Sequence, residues 1–342
     1  MNHPQKKRHS TKTPLGHIFQ IAYRVTLITS VLVVALFFAY SAFVREPEVA
    51  PPATASPDAT PATDNPATGD DESLATPTLL QRKKQFHTFL LMGCDDGNGN
   101  ADTIMVASYD VKNKQVGLVS VPRDTLVDVR RTVKKINGAY GSGGIDEVKT
   151  EVSTLLGIPI DHYIQIDISA FQAVVTEVGG IDFYVPQDMY HDDGGGFIID
   201  LKEGQQHLNG RQALELVRFR GYPNADIGRI AVQQQFLSAM AKKLLSFSSV
   251  TKVRAFADIF ATYVKTDLTA GNLAYFAVEA MSLDTATGLK TATLPGDGLT
   301  SYKGIDYYYE LFPEETLAII NDCLNPYTTP ITADKAHIFQ VP

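Results

Sequence analysis

The sequence is poor in cysteine. Cys94 and Cys323 are its two cysteines in 342 residues, which excludes a dense disulfide framework. One bridge between them, or two separate buried thiols, are both open readings. No CxxC pair occurs, and the eight histidines are scattered, so there is no zinc signature. A broad basic face is also missing. Lys and Arg number 30 against 38 Asp and Glu, a formal charge of −8. Six of the basic residues lie at or before Arg45 with no acid among them, so the remainder sets 24 basic against 38 acidic side chains. General nucleic-acid binding needs a basic surface, and this composition excludes it. The glycine-rich stretch KKINGAYGSGG at residues 134–144 lacks the GxxxxGK[ST] spacing and is not a P-loop. No internal repeat and no composition break divides residues 80–325, which read as one domain.

One long apolar run is present. Residues 25–44, VTLITSVLVVALFFAYSAFV, contain no charge and are long enough to span a bilayer as a helix. The basic flank precedes the run, while Glu46 and Glu48 follow it. The positive-inside rule then puts residues 1–24 in the cytoplasm and the rest outside the cell. The run exceeds a usual signal-peptide core, and the small-residue site Ser41-Ala42-Phe43 is weak, which favours an uncleaved anchor. Residues 45–80 are rich in Pro, Ala, Thr and Asp and read as a disordered tether. Leu91-Met92-Gly93-Cys94 mimics a lipobox but lies too deep in the chain to be one. The ordered domain is expected over residues 81–325, with residues 326–342 a C-terminal tail.

Within that domain strands alternate with helices, which predicts an α/β fold with helices on both faces of a mixed sheet. Strands are expected at residues 85–92, 102–108, 115–121, 163–168, 181–185, 197–201 and 289–294. Helices are expected at 145–156, at 170–178 with Ser169 as cap, from Arg211, through 245, over 251–283 and at 313–324. Residues 187–196 and 295–298 read as loop and turn.

The chemistry concentrates in ELVRFRGYPNADIGRIAVQQQF, residues 215–236. Arg218, Arg220 and Arg229 fall within twelve residues of an otherwise acidic domain. Guanidinium forks suit phosphate, and their charge does not titrate away. Arg218 and Arg220 flank Phe219, so an extended chain turns both to one face. Arg229 and Gln233 are neighbours on one helical face. Asp95 and Asp102 flank one loop, where two carboxylates suit a divalent cation that also binds phosphate oxygens. Arg123 follows the 115–121 strand, with Asp124 next to it to hold its guanidinium. Acids for a metal and arginines for phosphates make a phosphoryl-transfer apparatus. Against this stand ordinary readings: solvated arginines at helix ends and capping aspartates in turns.

The motif order resembles the LytR-CpsA-Psr family of bacterial cell-envelope proteins. The resemblance covers about residues 85–325. It is carried by Gly93-Cys94-Asp95, Asp102-Thr103-Ile104-Met105, Ser120-Val121-Pro122-Arg123-Asp124-Thr125 and Lys135-Ile136-Asn137-Gly138-Ala139-Tyr140. Further on come Gly179-Gly180-Ile181, Leu208-Asn209-Gly210, Val217-Arg218-Phe219-Arg220 and Asp226-Ile227-Gly228-Arg229 with Gln233. The resemblance implies a three-layer α/β/α domain with an apolar polyprenyl tunnel. It implies transfer of wall teichoic acid or capsular polysaccharide from an undecaprenyl-pyrophosphate carrier to the muramic acid C6 hydroxyl of peptidoglycan. Asp95 and Asp102 would hold Mg²⁺, or Mn²⁺ in its place, and one of them would take the hydroxyl proton. Arg123, Lys135, Arg218, Arg220, Arg229 and Gln233 would bind the pyrophosphate. Two cationic positions frequent in such proteins are absent here, at Asn100-Ala101 and at Val232. The rival readings are a non-catalytic polyprenyl-pyrophosphate-binding or regulatory envelope protein, and a lipid pyrophosphatase.

Overall fold

The computed structural model describes residues 44–50, 80–94, 101–192, 194–223, 226–245, 262, 264–280, 282–284 and 287–342. The expected anchor up to residue 43, most of the tether, and the loop bearing Asp95 lie outside the described residues. Among the described residues no helix is long and apolar enough to cross a membrane. Contacts divide the chain into two units, residues 1–47 with 269–277, and residues 48–268 with 278–342. In the first unit Thr269 and Asn272 exchange hydrogen bonds at a helix start, and Asn272 also donates to the Arg45 carbonyl at 3.0 Å.

The larger unit is built on a six-stranded sheet. Its strands are β1 (Phe86–Cys94), β2 (Ala101–Asp110), β3 (Gln115–Val121) and β4 (His162–Ile166), with β9 (Val264–Thr266) and β10 (Leu289–Thr293) added later in the chain. The order across the sheet is β10-β3-β2-β1-β4-β9. β1 pairs antiparallel with β2 and parallel with β4, and β3 pairs parallel with β10, so the sheet is mixed as expected. Between β4 and β9 the chain forms four short strands: β5 (Ile181–Val185), β6 (Met189–Asp192), β7 (Ile198–Leu201) and β8 (Gly204–Leu208). These make two separate ribbons, β5–β8 and β6–β7, and do not extend the central sheet. After β10, β11 (Gly296–Tyr302) and β12 (Ile305–Leu311) form a hairpin where the sequence suggested only a turn.

Side-chain alternation sends the two faces of the sheet to different partners. Leu90, Met92, Ile104, Val106, Val119 and Val121 face one core with helix α1 (Ala139–Leu156), whose Val148, Val152 and Leu155 are buried. Gly143 and Gly144 break α1 near its start, so its regular part begins at Ile145. It stops at Gly157, whose φ of 67° a residue with a Cβ adopts only under strain. A later helix, Pro313–Ile319, continues into residues 320–324 on the same face. There the Cys323 carbonyl comes so close to β3 that a Cβ on Gly117 would lie 2.1 Å from it. Tyr327, Ile331 and Ala336 join this core, although the sequence reading treated residues 326–342 as a tail.

On the opposite side lie α2 (Ile168–Glu177), α3 (Gly210–Arg218) and α4 (Asp226–Leu245). Asp167, not Ser169, caps α2, its carboxylate accepting from the Ala170 amide at 2.7 Å. The aspartate stands one strand-end earlier, where the backbone is still extended and its side chain reaches back over the first turn. Asn209 and Gln212 form a reciprocal capping box that starts α3. These helices and the ribbons enclose a second core containing Phe183, Leu208, Leu216, Phe219 and Phe236. The continuous helix expected over 251–283 is replaced by β9, followed by a helix at Ala270–Ala280. Val264 and Thr266 are β-branched and suit the edge pairing with β4.

The two cysteines are thiols and not a disulfide. Burial pushes the Cys323 thiol up to about 11, reinforced by Asp322.

β1 carries a buried histidine away from the cavity described below. Burial lowers His87 from 6.5 to about 4, with Asp161 opposing the shift and His162 and Arg82 adding to it. His162 is lowered as well, chiefly by burial. The unfolded chain therefore takes up these protons first. Stability should be full above about pH 6.5 and fall as the pH drops toward 4, with His87 contributing about 3 kcal/mol. Urea unfolding at pH 7.5 and 4.5 would read this loss, and His87→Gln should flatten it.

Candidate active site

A cavity of about 750 Å³ lies between the sheet and the second helical layer. Its floor is the face of the sheet turned away from α1: Leu91, Gly93, Thr103, Met105, Ile164 and Ile166. Phe171 of α2, Leu214 and Val217 of α3, and Phe236, Leu237 and Met240 of α4 wall it in. These side chains are apolar because alternation along β1, β2 and β4 puts one residue in two into this space. Cations are confined to Arg218, Arg220 and Arg229, with Gln233 beside them.

Each of these groups is held by local structure. α3 ends at Arg218 because Phe219 leaves helical geometry at φ −61°, ψ 133°. Arg218 is therefore the last helical residue, and the extended pair read from the sequence holds only from Phe219 onward. Its consequence survives: Phe219 is buried against Tyr222, with ring centroids 5.2 Å apart, while Arg218 and Arg220 are exposed at the cavity. The Arg218 guanidinium stacks over the Phe197 ring at 4.7 Å. Arg229 is only 4% exposed. Gln233, one turn further along α4, donates from Nε2 to the Val217 carbonyl at 2.9 Å and ties α4 to the end of α3.

Arg123 stands beside this group and not in the main cavity. Pro122 accepts from the Thr125 amide at 3.0 Å and from its hydroxyl at 2.6 Å, which fixes the turn after β3. Arg123 shares a small adjoining pocket with Thr103, Ser120, Arg229 and Gln233. Asp124 lies between two cations, 3.6 Å from Arg123 Nε and 3.3 Å from Lys135 Nζ. Lys135 also sits 5.6 Å from the Tyr308 ring centroid and lines neither pocket. It thus stands behind Asp124.

Asp95 is outside the described residues, and so is the side chain of Asp102. Their described neighbours Cys94 and Ala101 pair with each other across a bulge. Among the described residues no cluster of three metal-ligating side chains occurs. Val232 is buried in the second core and does not line the cavity, so the missing cation there takes nothing from its wall. Tyr190, His191 and Phe197 do line the cavity, and sequence reasoning passed over all three. They sit in a segment too short and too glycine-rich to announce itself as a ribbon.

The architecture is that of an α/β protein with an apolar cavity rimmed at one end by fixed guanidinium groups. Residues 56–321 match the model of the LytR_cpsA_psr family, and the chain belongs to that family. TagV of Bacillus subtilis (strain 168), a polyisoprenyl-teichoic acid–peptidoglycan teichoic acid transferase, is 33% identical over 260 residues. That alignment spans 71% of this chain and 64% of TagV, somewhat under two thirds of the relative. The crystal structure of B. subtilis TagV superposes with a TM-score of 0.61 at 31% identity, covering 69% of this chain and 95% of that one. A structure of TagT bound to LIIa-WTA gives a TM-score of 0.57 at 26% identity, with coverage of 70% and 91%.

Proposed function

We propose that the chain is a membrane-anchored glycopolymer transferase. It moves an anionic polymer of the wall teichoic acid or capsular type, as a sugar phosphate, from an undecaprenyl-pyrophosphate carrier to the muramic acid C6 hydroxyl of peptidoglycan. The observation that carries this reading is the continuity of the apolar cavity with Arg218, Arg220 and Arg229. A ligand that fills both has a hydrocarbon chain and an anionic head. The names of the relatives support the same class. Residues 25–44 serve as the anchor, with the cavity-bearing unit outside the cell.

In this reading the acceptor hydroxyl oxygen attacks the sugar-proximal phosphorus. The bond from that phosphorus to the bridging oxygen breaks, and undecaprenyl phosphate leaves with the electron pair. Arg123, Arg218, Arg220 and Arg229 hold the phosphate oxygens and stabilise the charge that develops on them. Arginine does not accept the hydroxyl proton, so that role falls to a carboxylate, Asp95 or Asp102. Two carboxylates seven residues apart in the sequence are a donor set that suits Mg²⁺, which keeps waters and phosphate oxygens as its other ligands. The bound ion would neutralise pyrophosphate charge. Gln233 braces α3 against α4, and Lys135 steadies Asp124 behind Arg123.

The test uses the full chain in proteoliposomes with Mg²⁺, a polyprenyl-pyrophosphate glycan and peptidoglycan. Glycan joined covalently to peptidoglycan is the expected product. Release of phosphorylated glycan to water at the same rate with and without peptidoglycan would instead identify a pyrophosphatase. Binding without turnover would identify a carrier-binding protein.

A further inference from the structure

We propose that the β6–β7 ribbon reads the first sugar carried by the lipid pyrophosphate, through His191 and Tyr190. The inference rests on the transferase reading and deepens it.

Three contacts fix the ribbon and the residues flanking it to the arginine segment. Phe197 lies under the Arg218 guanidinium at 4.7 Å. Gln187 donates to the Gly221 carbonyl at 3.1 Å, next to Arg220. The Tyr222 hydroxyl lies 4.0 Å from the Met189 sulfur. The ribbon therefore belongs to the phosphate end of the cavity. Any group bonded to the phosphate and directed away from the hydrocarbon end meets it.

Strand alternation defines what that group would touch. Met189, Ile199 and Leu201 occupy the inner face and are buried, whereas His191, which pairs with Ile199 on that face, is exposed and lines the cavity. An apolar side chain is expected at such a position. The imidazole of His191 makes no hydrogen bond or ion pair among the described residues. It offers a ring face and two hydrogen-bonding nitrogens to a ligand. Tyr190 also lines the cavity and is 69% exposed, a large ring left in water on an outer face shared with Asp192 and Asp200. Such rings suit a sugar, whose C–H face packs on an aromatic and whose hydroxyls hydrogen-bond to the imidazole nitrogens.

The experiment measures binding by full-length protein of two lipids: a polyprenyl pyrophosphate without sugar, and the same lipid bearing one N-acetylhexosamine. Wild type should bind the second more tightly. His191→Ala and Tyr190→Ala should each weaken that sugar-dependent gain, together by about tenfold, and leave the sugar-free lipid unaffected. His191→Tyr, which keeps a ring and a hydrogen-bonding group, should restore it. A full sugar-dependent gain in both alanine variants would overturn the assignment. So would an intact gain accompanied by a raised KM for peptidoglycan, which would give these rings to the acceptor. Failure of wild type to bind either lipid would remove the transferase reading, and this inference with it.

Discussion

Arg229→Ala should lower polymer transfer by about 10²- to 10³-fold, mostly in kcat, because it removes a fixed donor aimed at charge that grows in the transition state. Arg229 is the most enclosed of the cationic groups at the cavity, at 4% exposure, and it alone among them borders both the main cavity and the pocket of Arg123. In an enclosed site its charge is weakly screened, so it should matter more than exposed Arg218 or Arg220. Arg229→Lys keeps the charge but not the fork and should recover only part of the rate. Rates in proteoliposomes, with a thermal melt of each variant, check this. A rate for Arg229→Ala within threefold of wild type, in a protein that melts normally, would sink the site assignment.

The largest expected effect on stability lies elsewhere. Asp161 is 6% exposed and accepts from the Thr88 amide at 2.8 Å, the Thr88 hydroxyl at 2.9 Å and the Ala50 amide at 2.7 Å, and it pairs with Arg82. Arg82 in turn donates to the Ala50 carbonyl at 2.9 Å. One carboxylate thus joins β1, the turn before β4, Arg82 at the start of the expected domain and Ala50 in the segment expected to be a tether. Asp161→Ala strands the Arg82 guanidinium, whose side chain is only 10% exposed, and should cost about 3–5 kcal/mol. For a chain of this size the melting temperature should fall by roughly 10 °C. Asp161→Asn keeps an acceptor for the Thr88 amide and should cost less. A melt unchanged within 2 °C for Asp161→Ala would show that the network contributes nothing to stability.

Much of the site was legible because its signal is local. A guanidinium cluster in an acidic chain is visible as composition, and Arg229 with Gln233 follows from helical spacing alone. The β1, β3 and β5 strands and the stop at Gly157 rest on alternation and on left-handed backbone, which are also local. The resemblance to the family, now shown by the match over residues 56–321, rested on ordered short motifs of the same kind.

The misreadings involve choices between distant parts of the chain. β9 is a strand because β4 offers an edge to pair with, and three residues, β-branched as Val264 and Thr266 are, make too short a pattern to read alone. The turn expected at residues 295–298 opens a hairpin because β12 pairs back on it. Lys135 has Asp124 and Tyr308 beside it, neighbours that no local spacing shows. Tyr190 and His191 are inconspicuous until the ribbon that carries them docks beside Arg218 and Arg220. By itself the sequence determined the α/β class, the mixed sheet, the charges and the family, because each depends on residue type and short-range period. Tertiary structure alone decided which cations share one cavity, which stand behind it, and what lies next to them, because these depend on long-range pairing that no local pattern encodes.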